Sequence, residues 1–135
     1  MNTKQVIVMR QDLKMRRGKE IAQGSHASMA FITRQFCDLS WFGKILAIFG
    51  LFRLKFTKTM WYWFLDSFAK VCLRASSEEE LMRIAYKAEA AGIECHVITD
   101  SGRTEFNGVP TKTCLALGPD ESDKIDKITG HMKLY

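Results

Sequence analysis

With 135 residues, of which 47% are hydrophobic and 26% charged, the chain is long enough for one domain with a real core and too apolar for a disordered tail. Its formal charge of +5 is unevenly placed: residues 1–58 hold eleven Lys and Arg against three Asp and Glu, residues 59–135 nine against twelve. That asymmetry fits one basic surface that meets a polyanion, or an uneven but solvated surface.

Lys4–Arg10, KQVIVMR, reads as a buried strand, since β-branched residues fill an apolar run. The polar and basic connection QDLKMRR follows, and Gly18–Phe36 has helical spacing. On that helix Lys19, Gln23, His26 and Ala30 share one stripe, while Ile21, Ser25, Ser28, Ile32 and Phe36 fall nearly opposite. An amine, an amide and an imidazole in line suit the wall of a site; a solvated stripe with His26 filling a gap is the alternative. The order strand, basic loop, helix sets Lys14, Arg16, Arg17 and Lys19 around a helix N-terminus, where N–H groups and the helix dipole favour anions. The Walker A pattern is missing.

Residues 38–58 are strongly apolar between Trp41 and Leu54, but the run is too short to span a bilayer and contains Lys44 and Arg53. A lid, a dimer or partner surface, and a membrane-surface segment compete; a helical element packed on its own domain or on a second copy is the preferred reading. Thr59–Phe68 is aromatic-rich and is expected to pack. Ala69–Ala75 reads as a strand, and Ser76 with Glu79 or Ser77 with Glu80 caps a helix that stops at Gly92. Ile93–Asp100 is the third strand, with His96 structural, and Thr113–Leu117 the fourth. Asp120 is expected to cap the last helix, ESDKIDKIT. The order predicts a layered α/β domain without repeats or linkers.

Cys37, Cys72, Cys95 and Cys114 have no C-x-x-C spacing, and no His completes a zinc pattern. Cys72, Cys95 and Cys114 read as small buried hydrophobes in a reducing compartment. No signal or transit pattern opens the chain, and a cytoplasmic location is expected.

Three stretches in order, VIVMRQDLKMRRGKEIAQGSHAS, ITDSGRTE and TCLALGPDESDKIDKITGHMKLY, resemble the signatures of the type II peptidyl-tRNA hydrolase family, the archaeal and eukaryotic type. The similarity covers residues 4–36 and 69–135. It implies a three-layer α/β/α domain with a mixed four-stranded sheet, a homodimer, and cleavage of the ester between a peptide and the 3′ ribose of tRNA, without metal or cofactor. The family's functional positions fall on Lys19, Gln23 and His26, on Asp100 and Thr104 with Arg103 between, and on Thr113. Two departures stand out: the apolar insertion at about 38–58, and a Thr104–Thr113 loop about one residue longer than the family's usual one.

Ester hydrolysis needs a positioned water, a proton acceptor and donors for the oxyanion. Lys19 is expected beside Asp100, keeping it ionised and itself able to stabilise an oxyanion, with Gln23 as polar support. Thr104 and Thr113 are expected to hold the water or the ribose hydroxyl. The base is left open between Asp100 and His26. With no serine nucleophile elbow, direct attack by water is expected. Arg10, Lys14, Arg16, Arg17 and Arg103 are candidates for phosphate contacts. A non-catalytic RNA-binding module and an interaction protein built on residues 40–58 are the rival readings.

Overall fold

A computed structural model describes residues 1–135. β1 (Thr3–Arg10), β2 (Lys70–Ala75), β3 (Cys95–Asp100) and β4 (Thr111–Glu121) form one sheet in the order β2-β1-β4-β3. β1 and β2 run parallel, and β4 pairs antiparallel with β1 and β3. The helices are α1 (Arg17–Cys37), α2 (Trp41–Ile48), α3 (Lys58–Tyr62), α4 (Glu78–Ala90) and α5 (Ser122–Thr129). The fold is a single three-layer α/β domain with a mixed sheet, as expected.

Strand alternation sorts the core into two sides. Val6, Val8, Leu73, Leu115 and Leu117 pack with Leu81, Ile84 and Ala88 of α4 and with Ile125 and Ile128 of α5. Ile7, Met9, Cys114 and Ala116 face the other way and meet Ala27 of α1 and Met15 of the basic loop. Small residues at this contact bring α1 close to the sheet. Gln5, fully buried, donates to the Ser28 carbonyl and accepts from the Ser28 hydroxyl, which pins α1 against β1. Ser77, not Ser76, caps α4 by accepting from the Glu80 N–H. Glu80 in turn accepts from the Ser76 N–H and hydroxyl.

Three expectations are corrected. β4 does not stop at Leu117: it continues through Gly118-Pro119 because Lys4 and Thr3 of β1 pair with Asp120 and Glu121. Asp120 is therefore a strand residue, and Glu121 occupies the position before α5. Cys72 is exposed rather than buried, because β2 is the outer strand and α1 does not cover that face. Cys114 is buried and Cys95 half-buried, and loss of water pushes their thiols up to about 11 and about 12.

The aromatic stretch packs as expected, in part. Trp63 is buried with Phe31 and Met60, and its indole N–H donates to the Ala69 carbonyl at 2.8 Å. Trp61 stays half-exposed. Of the preceding apolar segment, Phe52 rests on Phe36 and Phe56 on Phe31, but α2 buries none of its own residues. No helix is long and apolar enough to cross a membrane. The outer edge of β2 is covered by the C-terminal tail, where Leu134 bridges Leu73 and the Tyr135 N–H donates to the Cys72 carbonyl.

Candidate active site

β1 delivers the chain to the basic loop, and buried Met15 anchors that loop before α1 begins at Arg17. The first two turns of α1 run past the end of β3, so residues far apart in sequence converge. Lys19 Nζ donates to Asp100 Oδ1 at 2.7 Å and to Thr104 Oγ1 at 2.9 Å. Gln23 Nε2 donates to the same carboxylate oxygen at 3.2 Å, and the Gly102 N–H donates to Oδ2 at 2.9 Å. Beneath them the buried Thr113 hydroxyl donates to Gln23 Oε1 at 2.5 Å.

This network has one consistent polarity. The carboxylate only accepts, so the Gln23 amide must turn its NH₂ to Asp100 and its carbonyl to Thr113. Gln23 is thereby locked between a fixed strand residue and the carboxylate. Removal of the Thr113 hydroxyl leaves a buried carbonyl without a donor, at about 1–3 kcal/mol.

The Lys19 and Asp100 side chains retain only 14% and 12% of their exposure. The lysine hydrogen bond, the Gly102 N–H and the lysine charge hold the Asp100 carboxyl below its usual value of 3.8, against the opposing effect of burial. Its stabilising contribution is present above the unfolded aspartate pKa and is lost as pH falls through the lower folded value. Asp100 is thus ionised at every pH near neutral. Such a group is a weak proton acceptor but a strong hydrogen-bond acceptor for a cation or a water.

His26 lies on the Lys19 side of α1, two turns further on and about 10 Å along the axis. It is exposed, and no side-chain hydrogen bond joins it to the cluster. Lys14 and Arg103 are exposed on the loops that frame the cluster, and Arg17 is exposed at the start of α1. Arg16 is also exposed but pairs with Glu105 at 2.8 Å, which ties the first loop to the second. Arg10 is different. It is buried, and its guanidinium is taken up by Asp12 at 2.7 Å, Glu78 at 3.2 Å and the Lys112 carbonyl at 3.0 Å. It braces β1, α4 and β4 from the inside.

Two contributors escape a reading by residue type. Gly102 supplies the N–H that fixes Asp100 from a left-handed backbone, φ +79°. Glu105 supplies the latch to Arg16. The glycine lies inside the GRT stretch, so a signal existed; the Glu105 contact spans 89 residues and had none. No group of three or more His, Cys, Asp or Glu side chains is placed to hold a metal ion. A cavity of about 570 Å³ lies on the other flank of α1 among Ile7, Met9, Ile21, Met29 and Phe68, and includes none of the cluster.

The chain matches the family described as "Peptidyl-tRNA hydrolase PTH2" over residues 3–135. It is 37% identical over 131 residues to the peptidyl-tRNA hydrolase of Methanocaldococcus jannaschii, covering 97% of this chain and 98% of that protein. It is 39% identical over 132 residues to the peptidyl-tRNA hydrolase of Nanoarchaeum equitans, covering 98% of both. A solved structure of a protein of unknown function from Agrobacterium tumefaciens strain C58 has the same fold, with a TM-score of 0.55 at 14% identity, covering 100% of this chain and 98% of that one. The sequence signatures, the sheet order and these full-length matches lead to one assignment: the chain belongs to the peptidyl-tRNA hydrolase PTH2 family.

Proposed function

We propose that the protein hydrolyses the ester between a peptide and the 3′ ribose of tRNA, with the Lys19–Asp100–Thr104 cluster as its reacting centre. The observation that carries this reading is the lysine held between a carboxylate and a hydroxyl at the open end of the sheet, backed by the buried Gln23–Thr113 bond. Lys19 is oriented and aimed by Asp100, ready to stabilise the oxyanion that forms when water adds to the ester carbonyl. Asp100, ionised and immobile, orients the attacking water. The Thr104 hydroxyl accepts from Lys19 and holds its own proton free for the water or the ribose oxygen. His26, exposed on the same face of α1, takes and returns the proton through intervening water. tRNA phosphates lie against Lys14, Arg16, Arg17 and Arg103. Arg10 is left out of this footprint, since its charge is already neutralised inside the fold.

The test is release from an N-blocked aminoacyl-tRNA, compared with the same tRNA carrying a free amine. Release from the blocked substrate alone is the expected result. Binding of tRNA without release overturns the reading and makes the chain a binding module.

Two further outcomes separate the groups. His26→Ala lowers the rate of release by about 10²–10⁴-fold, the usual contribution of one acid–base group, with tRNA binding unchanged. A limb of the pH–rate profile attributable to Asp100 falls below 3.8. A rate unchanged in His26→Ala assigns the proton transfer elsewhere. Arg16→Ala combined with Arg17→Ala weakens tRNA binding and reduces the slope of log affinity against log salt by about two phosphate contacts. An unchanged slope removes both arginines from the footprint.

A further inference from the structure

The apolar helix α2 is inverted relative to the rest of the fold. Trp41, Phe42, Ile45, Ile48 and Phe49 recur at i, i+1, i+4, i+7 and i+8, the spacing of a helix face that normally meets a core. Here, apart from half-buried Ile45, that face looks outward. Trp41 is 78% exposed, Ile48 82% and Phe49 74%, and Phe42 and Leu51 are exposed beside them. The opposite side, with Gly43, Leu46 and Ala47, is half-buried, and Gly43 lies against Leu39 just past the end of α1. The helix is therefore held in place by its poorer side and presents its richer one. Ser40 caps it by accepting from the Gly43 N–H, so it is a formed helix rather than a loose loop.

The charges around it point to the occupant. Between Leu39 and Leu65 there is no Asp or Glu, while Lys44, Arg53, Lys55 and Lys58 are all exposed. None of the four forms a salt bridge. A second copy meeting this face through a two-fold contact would set four uncompensated cations against four more. An RNA surface would be polar and densely charged, yet the stretch 41–52 carries one charge among aromatic and aliphatic side chains. Bulky apolar residues on the outward face, flanked by cations and not long enough to span, fit the headgroup region of an anionic bilayer.

We propose that α2 and the irregular segment after it, residues 41–55, form a docking surface for an anionic lipid membrane. Trp41, Phe42, Ile48, Phe49 and Leu51 enter the interface, and Lys44, Arg53 and Lys55 meet lipid phosphates. The surface lies at the far end of α1 from Lys19, about 25–30 Å along the helix, so membrane contact leaves the Lys19–Asp100 cluster open. This inference does not depend on the proposed chemistry.

The experiment is co-sedimentation of the full chain with vesicles of phosphatidylcholine and phosphatidylglycerol in equal parts, beside vesicles of phosphatidylcholine alone. Binding to the mixed vesicles, and at least about tenfold weaker binding to the neutral ones, is expected. Ile48→Ser with Phe49→Ser lowers partitioning about tenfold or more. Its thermal unfolding is unchanged, because both side chains are already in water. Lys44→Glu with Arg53→Glu gives a loss of the same order that added salt also produces in the native chain. No binding to the mixed vesicles overturns the proposal. So does partitioning unmoved by either variant, self-association in vesicle-free solution that the Ile48/Phe49 variant abolishes, or a fall in tRNA affinity in that variant.

Discussion

Asp100→Asn lowers kcat on an N-blocked aminoacyl-tRNA by about two to four orders of magnitude, at every pH from 5 to 8, with tRNA binding changed only a few-fold. The substitution keeps the shape of the side chain and removes its charge. Oδ1 can still accept from Lys19 and Gln23, but the other position becomes an NH₂ that faces the Gly102 N–H. Two donors then confront each other where one hydrogen bond stood, and the turn that carries Thr104 loosens. Lys19 keeps its charge without the anion that aims it. Both effects act on the developing oxyanion rather than on distant phosphate contacts, so the loss appears in kcat. Because Asp100 is ionised well below neutrality, the loss has no pH dependence in that range. A variant that recovers activity at higher pH would contradict this role.

Gly102→Ala is the largest expected effect from a residue with no functional group. At φ +79° an L side chain is strained by about 1–2 kcal/mol. A Cβ at this position would also come within 2.3 Å of the Val109 carbonyl oxygen and 2.7 Å of the Val109 nitrogen. Both atoms are backbone, so the loop itself must move, at about 1–3 kcal/mol more. Displacement of about 1 Å in a positioning loop costs on the order of 10²-fold in rate. Gly92→Ala is the control. It has the same sign of φ, +67°, with nothing within 4 Å of the new Cβ, so it bears the backbone strain alone and leaves hydrolysis untouched. Equal stability and equal rates for the two alanine variants would show that the Val109 contact does not set the Asp100 loop.

Local pattern reveals much of this site and conceals some of it. The Lys19–Gln23 spacing put an amine and an amide on one side of a helix, and the structure gives both to Asp100. That Asp100 would be their partner, 81 residues away from Lys19, came from the order of three signatures rather than from any periodicity. Arg10 shows the opposite case. Its type and its neighbours suggest a surface cation, but Asp12, Glu78 and the Lys112 carbonyl enclose it, and only the packing of α4 beside β1 and β4 brings those acceptors together. Cys72 failed for a related reason: its apolar run is that of a core strand, yet β2 ends the sheet, and burial depends on what lies above a strand as well as on its composition. β4 outran its apolar core because Asp120 and Glu121 are held by backbone pairing to β1, for which side-chain type gives no signal. In α2, hydrophobicity marks a face that needs cover without saying which body provides it.

The Lys19–Asp100 pair is best tested by a double-mutant cycle on kcat with N-blocked aminoacyl-tRNA, using Lys19→Ala, Asp100→Asn and the combined variant. If the two side chains act as one unit, each single change removes most of the rate, and the double variant is no slower than the slower single one. Losses that multiply in the double variant, or a Lys19→Ala protein that turns over like the native chain, would contradict a catalytic centre built on this pair.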